Sequence, residues 1–317
     1  MRINTSSGPA PSRAVLMSTL GLLMVIWALN FLAVKIALRS IPPLTLASFR
    51  VVLASLFMVG LAPLCRRLPA FHFPKGQAIT ARDLWTFAYL GFLVVTVNQI
   101  CFTIGLRYTD VTHSSIILGM GPIYTLALAV AFRLEQPRLR KALGMLIALT
   151  GVALIAAGGS SPHRTPTLLG DAITLCGSLA FATYVVLGKR VAGKYDALTM
   201  TTWNFIFGGL IVVPLALYQA WTFGPAAAWR AVPWQAWACL FYVALFCSAL
   251  AYLGYFWLLR YLEASEISSF SYLLPITASA LGIIFLGERG SWLELLGAGL
   301  AFFGLYSIES TRRVRHE

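Results

Sequence analysis

The sequence predicts an all-α membrane protein with ten transmembrane helices arranged as two inverted five-helix repeats. Three observations lead there. Of 317 residues, 59% are hydrophobic and only 11% charged, against roughly 45–50% and about 25% in soluble domains. The apolar residues fall into ten runs bounded by Pro, Gly and charge. The second half of the chain also repeats the first at a fixed offset. So apolar a composition cannot cover a water-facing surface, which excludes a soluble enzyme, a nucleic-acid binder and a disordered chain.

A bilayer-spanning helix takes about 20 residues. The runs are 15–38, 43–64, 84–106, 111–132, 138–157, 168–189, 197–218, 234–259, 265–286 and 292–309. The first starts after Arg13, carries Asn30 and Lys35, and lacks an A-x-A site after a short apolar stretch, so it reads as a membrane span rather than a cleaved leader. Connections are short except for Cys65–Arg82 and the Pro/Trp-rich Gln219–Pro233. Ser291 and Glu294 form an S-x-x-E capping box at the start of the tenth helix. Asp171 and Glu135 lie near helix N-termini, where the helix dipole favours them.

The net charge of +13 orients the chain. With the N-terminus in the cytoplasm and sides alternating, inner segments hold 17 Lys and Arg and outer ones 5, with Lys35 and Arg50 inside helices. Cytoplasmic loops of membrane proteins carry this excess. The expectation is therefore a multi-pass protein of the cell (inner or plasma) membrane with both termini cytoplasmic. Five dispersed cysteines (Cys65, Cys101, Cys176, Cys239, Cys247) show neither a disulfide framework nor metal-ligand spacing.

The repeat is ungapped. Leu106–Gln136 lies over Leu259–Arg289 at an offset of 153 residues, matching Arg107 with Arg260, Tyr108 with Tyr261, Pro122 with Pro275, Glu135 with Glu288, Gly144 with Gly297 and Gly151 with Gly304. Lys35 falls on Lys189 one residue further along. Five helices per unit is an odd number, so the second copy enters the membrane from the opposite side. Inverted repeats around a midplane site are a transporter architecture. The units are residues 1–157 and 168–309.

The stretches WALNFLAVKIAL and FRVVLASL in helices 1 and 2, with GLRYTDV, GMGPIYT and LE in one half and LLRYLEA, LLPITAS and LGER in the other, resemble the drug/metabolite transporter superfamily with two EamA-type repeats covering nearly all of the chain. The resemblance implies a ten-helix carrier for small metabolites, often an exporter of amino acids or drugs, with helices 1, 3, 4, 6, 8 and 9 walling its cavity.

Candidate site residues follow from the cost of polarity in lipid. Pro122 and Pro275 interrupt helices 4 and 9 at matching places, with Gly121 loosening the first turn. Paired interruptions point to a hinge beside a transporter cavity, and a packing kink is the other reading. Arg50 must face the interior, either to meet a carboxylate-bearing substrate or to pair and hold helices together. Asn30, Asn98, Gln99, Tyr124, Tyr184, Tyr252 and Tyr272 are cavity candidates, the amides equally suited to interhelical bonding and the tyrosines to packing. His113 and Glu266 occupy matching helix starts and form the candidate pair for proton coupling, or solvated helix ends. The repeated Gly144/Ala148 and Gly297/Ala301 spacing suits close helix packing, within the chain or in a homodimer.

No metal cluster, cofactor motif or ATP-binding loop occurs in the sequence. Transport would then be facilitated or driven by an ion gradient, with the lipid bilayer and a small-molecule substrate as partners and no nucleic acid. A channel or non-transporting receptor is the alternative. An intramembrane enzyme would need H-E-x-x-H, G-x-S-x-G or paired acids, and none is present.

Overall fold

The computed structural model describes residues 11–65, 79–108, 117–158, 168–192, 194–223, 229–277, 280 and 291–313. Among these the chain forms helices and no strand. The elements are α1 (Arg13–Ala37), α2 (Pro43–Cys65), α3 (Ala81–Gly91, continuing through Phe92–Val97 to Asn98–Tyr108), α4 (Gly121–Ala131) and α5 (Leu139–Gly158). The second half holds α6 (Leu168–Val191), α7 (Ala197–Phe223), α8 (Trp234–Tyr242, continuing through Val243–Leu250 to Ala251–Leu258), α9 (Ala264–Ser269, then the 3₁₀ turn Phe270–Tyr272) and α10 (Trp292–Arg313).

Local chemistry sets the ends. The Ser12 hydroxyl accepts the Val15 N–H to cap α1, and Thr80 with Asp83 closes a capping box on α3. The Ser291 hydroxyl accepts the Glu294 N–H as the sequence predicts for α10.

Seven helices among the described residues are long and apolar enough to cross a membrane, fewer than the ten runs of the sequence. The difference lies in the fourth helix of each half, α4 and α9, and in α10. α4 begins only at Gly121, after a turn at Met120, and the shorter apolar helices are Ile117–Ala131 and Trp292–Ile308. α9 breaks into a 3₁₀ turn at Phe270–Tyr272 before helix resumes over 273–277.

Packing pairs come in images of one another under exchange of helix n with helix n+5. α1–α8 maps onto α3–α6, α2–α8 onto α3–α7, and α4–α6 onto α1–α9, while α2–α7, α4–α9 and α5–α10 map onto themselves. The α5–α10 contact explains the small-residue stripe. A Cβ at Gly151 would stand 2.5 Å from the Ala301 nitrogen, and one at Gly304 2.5 Å from the Ala148 nitrogen. Those glycines therefore serve packing inside the chain, where backbones meet without side chains between them.

α3 and α8 carry a second matched irregularity. Each winds wider in its middle, over Phe92–Val97 and Val243–Leu250. The Asn98 N–H reaches the Leu93 carbonyl and the Ala251 N–H the Phe246 carbonyl, both five residues back and 153 residues apart in sequence. Such π-type turns shift side-chain register and free carbonyls for other partners, and they concentrate at functional sites.

Candidate functional site

Carbonyls in the wide-wound stretch of α8 accept side-chain donors. Trp27 Nε1 on α1 donates to the Cys247 carbonyl at 3.1 Å, and the Tyr242 hydroxyl donates to the Ile26 carbonyl at 3.1 Å. Arg50 Nε on α2 donates to Ser248 Oγ at 2.5 Å, and Ser248 Oγ in turn donates to the Val243 carbonyl at 2.9 Å. Arg50 thus faces the bundle interior as its charge requires, tied across the two halves. Its charge lies within electrostatic reach of Cys247 and Tyr252.

Around these bonds, rings from α1, α6 and α8 gather. Trp27 lies 5.4 Å from Tyr255 and 5.8 Å from Tyr252 between ring centroids. Tyr184 stands 6.5 Å from Tyr252, and Phe181 bridges Tyr184 and Tyr255 at 6.1 and 5.8 Å. Tyr184 and Tyr255 are only 1% exposed. Tilted and edge-on pairs of this kind are favourable beyond their area alone.

Several buried amides of α1, α3 and α7 have hydrogen-bonding capacity that goes unused among the described residues. Asn30 Oδ1, Gln99 Nε2 and both amide atoms of Asn204 are buried without a bond of ordinary geometry among the described residues, although Asn204 adjoins the Tyr184 hydroxyl. An unmet buried polar group costs about 1–3 kcal/mol, so each calls for a partner such as water or a ligand.

The structure separates the sequence candidates. Tyr184 and Tyr252 come together, with Arg50 nearby. Asn98 does not join them freely: its Nδ2 donates to the Gly177 carbonyl at 3.0 Å and so binds α3 to α6. Tyr124 turns to Met120 Sδ at 3.3 Å. Tyr272 packs with Leu126, Met145, Val152 and Ile308 in a separate cluster towards α5 and α10. Pro122 occupies the second position of α4 rather than mid-helix, where its missing N–H would have no helical partner anyway. Gly121 is the first residue of that helix, and Pro275 follows the 3₁₀ turn of α9. Glu266 is 5% exposed and its carboxylate accepts the Glu263 N–H, completing a capping box on α9. His113 lies outside the described residues, as does the Lys35 side chain.

Two features escaped the sequence. Trp27 is the hub of the ring cluster, one turn from Asn30 on the same helix face. At the end where α1 begins, Lys141 is buried between Glu135 (2.9 Å) and Glu263 (2.7 Å). Glu135 is aimed by a Schellman turn closing α4, with Arg133 left-handed at φ 57° and the Leu134 N–H on the Ala129 carbonyl. Its carboxylate also accepts the Ser265 N–H (3.1 Å) and hydroxyl. The helix-dipole reading of Glu135 is thereby replaced by a buried ion-pair network joining the two halves.

Fold and site together define a class: a helical, multi-pass membrane protein of two matched halves with a polar, aromatic centre. The chain belongs to the EamA-like transporter family, which matches it twice, over residues 16–157 and 168–309. It is similar to an uncharacterized transporter of Archaeoglobus fulgidus, 26% identical over 90% of this chain and 94% of that one. It also resembles a protein of Streptantibioticus cattleyicolor named a probable terminal-alkyne amino-acid exporter, 24% identical over 90% of this chain and 91% of that one. A crystal structure with 14% sequence identity shares the fold, at a TM-score of 0.75 over 96% of this chain and all of the other.

Proposed function

We propose that this membrane transporter is a secondary carrier exporting small metabolites, such as amino acids or amphipathic drug-like compounds, by alternating access. It crosses the inner or plasma membrane ten times as two inverted five-helix halves, with both termini cytoplasmic. One observation carries this reading: the paired π-type turns of α3 and α8, at the same repeat position, border buried amides and rings drawn from both halves. The imaged packing pairs support the inverted arrangement, and the matched breaks before Pro122 and Pro275 support hinges there. The exporter named among the relatives favours an amino-acid-like cargo.

The test is counterflow in proteoliposomes with a panel of labelled amino acids and amphipathic amines. Saturable exchange supports the carrier; current without saturation would make it a channel, and binding without flux a receptor. In the carrier, Trp27→Ala lowers flux at unchanged expression, and Pro122→Ala or Pro275→Ala cuts flux more than expression. Coupling through Glu266, with His113, predicts that Glu266→Gln abolishes the pH dependence of flux; a wild-type pH profile would refute it.

A further inference from the structure

A groove of about 360 Å³ opens between the start of α3 and the end of α6, away from the ring cluster. Arg82 and Arg190 line it together with Trp85, Tyr89, Leu187 and Val191. Its level is set by the helices themselves: one candidate span begins at Ala81 and another ends at Val191, so the groove lies where hydrocarbon gives way to water. Trp85 is 77% exposed and Tyr89 50%, as befits rings of the interfacial belt. We infer that this groove binds the headgroup of an anionic phospholipid.

Charge and shape favour that occupant. The nearby cation Lys194 is already taken, 2.7 Å from Asp83, and Asp83 also accepts the Thr80 N–H at 2.9 Å, so the local carboxylate is neutralised. Arg190 is fixed by one bond to the Phe132 carbonyl (3.2 Å) and by lying 4.8 Å above the Phe132 ring, and its remaining donors bind nothing else among the described residues. Arg82 is exposed and has no ion-pair partner among the described residues. Two guanidinium groups from different helices suit a phosphate, which they grip through paired N–H donors. The apolar wall of Leu187 and Val191 suits an acyl chain, which inorganic phosphate lacks. Basic pockets between spans at a membrane surface bind anionic headgroups on these grounds.

Native mass spectrometry of the detergent-purified full chain tests the site. Palmitoyl-oleoyl phosphatidylglycerol and the matching phosphatidylcholine are added at equal concentration. The wild type should retain the former preferentially, and Arg82→Gln and Arg190→Gln should each lower that retention about fivefold, while Arg82→Lys, which keeps the charge but not the paired donors, should lose less. Equal retention of the two lipids by the wild type would overturn the proposal, as would undiminished phosphatidylglycerol binding by Arg82→Gln. Retention of sn-glycerol 3-phosphate in preference to phosphatidylglycerol would also overturn it, assigning the groove to a soluble phosphate. Should Arg190→Gln misfold for want of its Phe132 bond, Arg82→Gln, on the exposed first turn of α3, decides alone.

Discussion

At the end of the bundle where α1 begins, Lys141 is held between Glu135 and Glu263, and Lys194 pairs with Asp83. At the other end, Gln219 near the close of α7 accepts from both the Thr45 N–H (3.0 Å) and hydroxyl (3.3 Å) at the start of α2. There Phe49 and Trp237 stack at 6.3 Å and Trp229 lies tilted against both, at 5.7 and 6.4 Å, beside the small apolar cluster of Ala37, Ile41, Val232 and Ala236. One end is thus fastened by charge, the other by amide and ring contacts. Buried charges stabilise only as a complete set, because a single unpaired ion at low dielectric is costly. Rings slide past one another with smaller changes in energy. A carrier that opens its two ends in turn would meet a sharp latch at the charged end and a graded seal at the other.

Removing the lysine should break this contrast most severely. Lys141→Met leaves Glu135, whose side chain is 5% exposed, uncompensated, at a cost of about 3–5 kcal/mol. Glu263 is 40% exposed, so solvent screens its share. Thermal unfolding in detergent should show the loss, and Lys141→Met with Glu135→Gln should recover much of it; an unfolding temperature equal to wild type for the single variant would dissolve the latch. The opposite end should yield less. Gln219→Leu strands the buried Thr45 donors at about 1–3 kcal/mol, and this loss should not change between low and high salt. The smallest effect belongs to Lys194→Gln. Its side chain is 50% exposed, and the buried Asp83 carboxylate it leaves keeps the Thr80 N–H, so the loss should be small and shrink further at high salt.

Titration sharpens the same distinction. Hydrogen bonding to Asp83 raises the Lys194 ammonium above the ordinary lysine range. A raised pKa in the folded protein means the pair contributes fully at neutral pH and fades only as pH climbs through and beyond the ordinary lysine value. Stability of Lys194→Gln and wild type, followed from neutral to strongly alkaline pH, should therefore converge; parallel curves would show that the pair contributes nothing.

Much of the architecture was legible because lipid imposes a simple rule on each helix. The run 43–64 appears as Pro43–Cys65 and 168–189 as Leu168–Val191. The offset of 153 residues reappears in the bonds of Asn98 and Ala251. The site was less legible. Trp27 sits in the interior cluster and Trp85 stands 77% exposed, yet both are tryptophans in apolar helices, and local sequence cannot rank them. Tyr184 and Tyr272 looked alike, but α6 carries the first to the rings and α9 turns the second towards α5 and α10. Lys141 counted as one more inner-loop cation until its partners, 6 and 122 residues away, were brought to it.

What the amino-acid order determined unaided is membrane residence, the helical runs and their doubling, since each depends on the solvent that a single stretch of chain meets. Which polar groups end in the centre, which in a buried ion-pair network and which exposed was decided by the packing of distant helices. Burial and pairing are properties of neighbours in space, and no window of sequence contains them.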